Sequence, residues 1–279
     1  MYNFYLIFER TRFFNFYNLK VSKELKVALI QADIVWENPA ENRKRFLEKI
    51  TSISKPVDLF VLPEMFTTGF TMNASKVAET MNGETVLWMQ NLAKNINSAI
   101  TGSVIISEDN CFYNRLLFVH PTGEIETYDK HHTFTLAGED KVFSSGNNKL
   151  IVVFKGWRIC TLICYDLRFP VWSRNVENYD VLLYVASWPT PRINAWDTLL
   201  KARAIENMSY TFGVNRIGED DHNYMYSGHS SAFDCMGKEL CITKNKEEVL
   251  IITLNKVHQE NMRNRFGFLN DKDLFKLGR

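Results

Sequence analysis

The chain has 279 residues and 33 Lys and Arg against 32 Asp and Glu, a formal net charge of +1. Hydrophobic residues make up 46% and charged residues 23%, the balance of an ordinary folded domain, so disorder, collagen-like repeats and a disulfide-stapled scaffold are excluded. A near-neutral chain without a Lys/Arg block offers no electrostatic reason to expect nucleic acid or a membrane as partner.

The first seventeen positions hold eight aromatic residues. Glu9, Arg10 and Arg12 interrupt that run and no small-residue cleavage site follows, so it does not read as a signal peptide. It is also too short and too charged to span a bilayer. Residues 1–24 therefore read as an extension outside a single domain at 25–279, either an upstream start-site product or an aromatic arm that packs on a partner subunit. With no signal or membrane segment, the expected location is the cytoplasm.

Residues 25–34 (LKVALIQADI) are apolar and predict a buried strand. Asn38-Pro39-Ala40-Glu41 then reads as a helix start, with a capping Asn, Pro at the first helical position and an acidic first turn. Phe46, Leu47, Ile50 and Ile53 supply its apolar face. A short strand is predicted over 57–62 and a helix over 83–97, followed by strands over 100–106, 115–120 and 124–128 with Pro121-Thr122-Gly123 as a turn. A hairpin follows, 150–154 and 158–163 about Lys155-Gly156, then a strand over 180–186 and a helix over 194–208. Strands over 211–216, 230–234 and 249–254 complete the series. Hairpins mixed with crossover helices indicate an α/β fold with more antiparallel pairing than a purely doubly wound sheet, and two sheets face to face with helices outside would use this many elements.

The five cysteines (111, 160, 164, 235 and 241) are an odd number without the spacing of a secreted framework, which favours a reducing compartment. Cys160 and Cys164 have no second Cys or His pair at structural-zinc spacing, so no metal is expected. Cys160 lies inside a strand and reads as core. Cys164 falls at the strand's end, where Tyr165-Asp166-Leu167-Arg168-Phe169-Pro170 turns toward a helix start. A thiol there lies at the sheet rim, and the backbone N–H groups of the turn can face a developing anion.

A thiol with an ordinary pKa of about 8.5 is mostly protonated at neutral pH and needs a base or cation beside it. Two other strand ends offer them: Glu64 after 57–62 and Lys130 after 124–128. His131 and His132 support rival readings, a Cys–His dyad or a metal-binding pair. If the strand continued through them, their side chains would point to opposite faces and could not share one ion.

Together these segments resemble the nitrilase superfamily of carbon–nitrogen hydrolases, through LPEMFTTGF (62–70), YDKHHTF (128–134) with Gly138-Glu139, and ICYDLRFP (163–170). YVASWPTPR (184–192), LLKARAIEN (199–207), GVNRIGED (213–220) and YSGHSSAFD (226–234) are similar to its omega-amidase branch. The resemblance covers about 25–279. It implies a four-layer αββα sandwich that assembles as a homodimer or higher homo-oligomer, and a Glu–Lys–Cys triad at Glu64, Lys130 and Cys164 with Glu139 in support. Many members carry Glu-His where this chain has Glu139-Asp140, which leaves the surroundings of Glu139 open.

The expected chemistry is cofactor-free hydrolysis of a small-molecule amide through a cysteine thioester, with the Lys130 ammonium and the Tyr165 backbone N–H holding the oxyanion. The branch implies 2-oxoglutaramate and 2-oxosuccinamate as substrates. Their distant carboxylate calls for a cation, for which Arg192 is the candidate, with a surface position or an ion pair as its alternatives. Trp188 and Phe70 are candidates for the pocket wall, or plain core. A family member acting on another amide, a nitrile or a carbamoyl group stays open, as does an inactive binding subunit, against which the presence of all three triad residues speaks.

Overall fold

In the computed structural model, which describes residues 22–277, the first strand shows how the layers arise. Along β1 (Glu24–Gln31), Leu25, Val27 and Leu29 enter one buried cluster while Ala28 and Ile30 enter another. Successive strand side chains point to opposite faces, so a continuous apolar run is what a strand covered on both sides requires. The aromatic leader lies outside the described residues, and with it all but the last three positions of the expected 1–24 extension.

After β1 come α1 (Pro39–Thr51), β2 (Leu59–Val61), α2 (Ala74–Val77), α3 (Glu84–Ile96), β3 (Ala99–Glu108), β4 (Cys111–Val119) and β5 (Ile125–Asp129). The second half contains β6 (Leu150–Phe154), β7 (Trp157–Ile163), α4 (Pro170–Ser173), β8 (Val181–Ala186), α5 (Ile193–Asn207) and β9 (Tyr210–Asn215). It closes with β10 (Ile217–Glu219), β11 (Met225–Phe233), β12 (Glu239–Lys244), β13 (Glu248–Asn255) and α6 (Lys256–Phe266). One sheet runs β13–β1–β2–β3–β4–β5, and the other β10–β11–β9–β8–β7–β6 with β12 also paired to β11.

The sheets pack face to face: Leu116, Phe118 and Tyr128 of the first share a core with Ile159, Leu162, Leu183 and Phe212 of the second. Phe46 and Ile50 of α1, with Val86, Met89 and Leu92 of α3, cover the first sheet's outer face. On the second sheet α5 buries Trp196, Leu200 and Ala204. Gly213 of β9 allows that approach, since a Cβ there would lie 2.5 Å from the Trp196 ring. The layers are α, β, β and α, the sandwich expected from the sequence. Among the described residues no helix is long and apolar enough to cross a membrane.

The helix signals hold at atomic detail: Asn38 caps α1 by accepting the Glu41 N–H at 3.1 Å. Several boundaries differ from expectation. β3 and β4 extend to a tight hairpin at Asp109-Asn110, both at positive φ, beyond where the polar Ser107 and Glu108 end the apolar pattern. β11 begins earlier than 230 because positive φ at Gly228 and His229 accompanies a register shift that breaks the alternation. β10, β12 and α6 carry no periodic apolar stripe and are not evident in the sequence. α6 is held by polar contacts instead, with Gln259 donating to the Asp180 carbonyl and Arg263 to that of Tyr179, each at 2.7 Å.

Candidate active site

Three strand ends meet at one rim. Glu64 lies three residues beyond β2, Lys130 immediately follows β5, and Cys164 immediately follows β7. β2 runs parallel to β3, and two antiparallel steps through β4 give β5 the same direction, so both ends open on one side. Cys164 adopts a left-handed backbone, φ +43°, a strained conformation for a residue with a side chain. It begins a 3₁₀ turn (Cys164–Arg168), whose first N–H groups have no partner within the turn.

Lys130 and the glutamates are almost wholly removed from solvent. The Lys130 Nζ donates to Glu64 Oε1 at 2.9 Å and to both Glu139 oxygens at 3.0 and 2.9 Å. Glu64 Oε2 accepts the Ser187 N–H at 2.8 Å, and Glu139 Oε2 accepts the Phe134 N–H at 2.6 Å. Asn114, from mid-β4, donates through Nδ2 to Glu64 Oε1 at 2.8 Å and Glu139 Oε1 at 3.2 Å. Sequence reasoning missed Asn114 and Ser187. A buried Asn in an otherwise apolar strand (CFYNRLLFV) was the available signal for the first; Ser187 acts through its backbone and leaves none.

Burial opposes charge on Lys130, but Glu139 and Glu64 more than offset it and hold the ammonium well above the ordinary lysine range. Burial pushes the Glu139 carboxyl up although Lys130 pulls it down. Burial, then the Glu64 carboxylate, pushes the Cys164 thiol well up despite the nearby lysine. The rim position expected of Cys164 is only half open, and burial beside the Glu64 carboxylate favours the thiol form at rest. Cys160 is fully buried core, as expected.

A single carboxylate ties two of these strand ends together. Asp166 Oδ2 accepts the Ile163 N–H at 3.0 Å and the Tyr128 hydroxyl at 2.7 Å. Its Oδ1 accepts the His132 N–H at 3.0 Å and meets His132 Nδ1 at 2.8 Å. Lys130 is thus flanked on both sides by residues converging on Asp166, and Cys164 lies between Asp166 and its partner Ile163. The strand ends before the histidines, so their rings are not on opposite faces as its continuation would require. They meet edge to face at 4.5 Å, with His131 stacked on Trp172 and His132 on Phe169. His132 is engaged with Asp166 and its stacking partner.

Cys164 and Lys130 line a cavity of about 230 Å³ walled by Phe70, Phe134, Tyr165 and Trp188. The predicted wall residues Phe70 and Trp188 are both there, with Lys130 Nζ 5.2 Å from the Phe70 ring. Arg192 also lines it, its guanidinium 5.0 Å from the Phe134 ring. The sequence reading passed over a second cation, Arg168, which lies inside the nucleophile motif and packs 5.0 Å from the Trp188 ring. Among the described residues neither arginine forms an ion pair, unlike Arg203 or Arg216 on neighbouring elements. Asp220 is on the wall too, but its oxygens accept from Tyr226, His222 and Tyr224 and so order the β10–β11 loop.

The carbon–nitrogen hydrolase family model matches residues 26–263. The chain is a carbon–nitrogen hydrolase. This hydrolase is 41% identical over 256 residues to the omega-amidase YafV of Yersinia enterocolitica, covering 91% of this chain and 98% of that one. It is 31% identical to the 2-oxoglutaramate amidase of Bacillus subtilis strain 168, over 89% of this chain and 98% of that one. Among solved structures, XC1258 of Xanthomonas campestris, a CN-hydrolase superfamily protein with an arsenic adduct in its active site, superposes with a TM-score of 0.89 at 39% identity, covering 91% of this chain and 99% of that one. The protein is an amide-hydrolysing enzyme of the omega-amidase branch of the nitrilase superfamily.

Proposed function

We propose that this hydrolase removes the terminal amide of small 2-oxo dicarboxylate monoamides, 2-oxoglutaramate and 2-oxosuccinamate, releasing ammonia and the acid. The reading rests on one observation above the others: a buried Glu64–Lys130–Glu139 cluster lies beside a thiol at the wall of a cavity that also carries two guanidiniums without an ion-pair partner among the described residues. The curated relatives named omega-amidase and 2-oxoglutaramate amidase support the substrate class.

Glu64 takes the Cys164 proton as the sulfur attacks the amide carbon. Because burial holds the proton on sulfur at rest, transfer accompanies attack, and the active site does not carry a free thiolate that would react with other electrophiles. The tetrahedral oxyanion is held by the Lys130 ammonium and the Tyr165 N–H, a kind of donor worth about 10²–10³ in rate. Glu64 then gives its proton to the departing nitrogen, the C–N bond breaks, and ammonia leaves a thioester. Water enters, Glu64 takes one of its protons, the hydroxide adds to the thioester, and the C–S bond breaks. The acid departs and the proton returns to sulfur. Glu139 neutralises the remaining charge of Lys130, which frees Glu64 to shuttle. Arg168 and Arg192 meet the carboxylate remote from the scissile amide.

Ammonia release from 2-oxoglutaramate, wild type against Cys164→Ala, tests this reading. An active wild type and a dead variant are expected. A wild type inert toward 2-oxoglutaramate but active on an aliphatic nitrile or carbamoyl compound would overturn the substrate assignment.

A further inference from the structure

Among the described residues Asn114 is the one side chain that hydrogen-bonds to both carboxylates without bearing charge. It is about 1% exposed, and its carbonyl accepts the Lys130 backbone N–H at 3.0 Å, so it grips the lysine's main chain while its carboxamide faces the two carboxylates that the ammonium neutralises. One Nδ2 hydrogen goes to each glutamate Oε1, at 2.8 and 3.2 Å, whereas its own Oδ1 is buried without a partner among the described residues. A buried carbonyl oxygen left unsatisfied is destabilising, and it persists here on the group whose other end supplies both donors.

The electrostatics explain what those donors do. Two carboxylates share a single ammonium, so the trio carries one excess negative charge out of water, and such a pair lowers its energy by binding a proton. A proton on Glu64 would disable the base. Donation from a neutral amide favours the ionised form without adding a cation that would compete with Lys130.

We propose that Asn114 is a positioning residue for catalysis: its carboxamide holds Glu64 ionised and turned toward the Cys164 thiol at neutral pH. This rests on the triad roles proposed above. The groups facing Glu64 are Lys130 and Asn114 at Oε1, the Ser187 N–H at Oε2, the Cys164 thiol, Glu139 across the lysine, and the Tyr226 hydroxyl farther off. Among the described residues only Asn114 and the Ser187 N–H donate to the Glu64 carboxylate without a charge of their own, and of these two only Asn114 reaches both carboxylates.

The test compares Asn114→Asp and Asn114→Ala with wild type. In kcat/KM against pH, the acidic limb moves up by about one pH unit in the Ala variant and farther in the Asp variant, which adds a third carboxylate. At pH 7, kcat falls about 10- to 100-fold, the scale of a lost hydrogen bond to a charged group, with KM within about threefold. If the Asp variant does not fold, the Ala variant carries the test alone, with an unaltered far-UV spectrum as its control. The same limb is read without any amide, from the pH dependence of Cys164 alkylation by iodoacetamide, located by peptide mass. A wild type inert toward 2-oxoglutaramate therefore refutes the substrate and leaves this inference standing. Folded variants that lose activity while both acidic limbs stay in place would overturn it, because a purely structural role lowers the rate at every pH.

Discussion

Replacing Lys130 with Met keeps the length and apolar stem of the side chain but deletes the ammonium. Its two partners lie about 2.9 Å away and are fully buried, so the substitution takes the trio from one excess negative charge to two. Breaking a buried pair in this way typically destabilises by about 3–5 kcal/mol, which for a chain of this size lowers the melting temperature on the order of 10 °C. The sign of the pH dependence follows from the carboxyls that remain. Without Lys130, the Glu139 carboxyl, which burial pushes up against the lysine's pull, loses that pull, and its folded-state pKa lies further above its unfolded value. Such a group contributes stability below the unfolded pKa and loses it as pH rises through the folded one. The deficit of Lys130→Met relative to wild type is therefore largest near pH 8 and narrows toward pH 5. In wild type the raised Lys130 pKa gives a contribution that stays complete throughout this window, since it begins to fall only above the unfolded lysine value of about 10.4. Thermal melts of both proteins at pH 5, 6.5 and 8 read the difference directly. Equal melting temperatures at pH 8, or a deficit that does not change with pH, would refute the charge argument.

Two other substitutions test the frame and the pocket. Asp166→Asn places an NH₂ group where the carboxylate accepts from Ile163, Tyr128 and His132, so at least one donor loses its acceptor. A loss of about 1–3 kcal/mol in stability is expected, with a larger fall in kcat than in substrate affinity, from melts and initial rates; an unaffected kcat would dismiss the clasp as a positioning device. Arg168→Gln and Arg192→Gln each remove a guanidinium held on an aromatic ring of the cavity. KM for 2-oxoglutaramate should rise about tenfold or more for the residue that meets the carboxylate, while kcat for a small amide without a carboxylate stays level. A KM unmoved in both variants would remove the arginines from recognition.

The fold was legible where a periodic rule applies. Apolar runs covered on two faces gave the central strands, and Asn38 marked a helix start through capping chemistry that acts within a few residues. The three strand ends bearing carboxylate, ammonium and thiol were visible in the same way, because each is a local event of a strand meeting a polar turn. α6 was not visible, because its attachment is a set of hydrogen bonds to main-chain carbonyls some fifty or more residues away, and no local pattern records such partners. Arg168 was hidden by its own motif, where an arginine reads as one more surface charge.

From the sequence alone came the residue types and their order: a glutamate, a lysine and a cysteine, each just past a strand. Tertiary structure alone decided that β2 and β5 run the same way in one sheet and that β7 of the facing sheet ends beside them. It also decided that two carboxylates are buried around one ammonium. Those facts set the protonation of the site, since a thiol near its ordinary pKa in water becomes a held thiol only when burial and a neighbouring carboxylate act together. Charge and burial are properties of distances between segments remote in the chain, and the order of residues does not contain them until the sheets have closed.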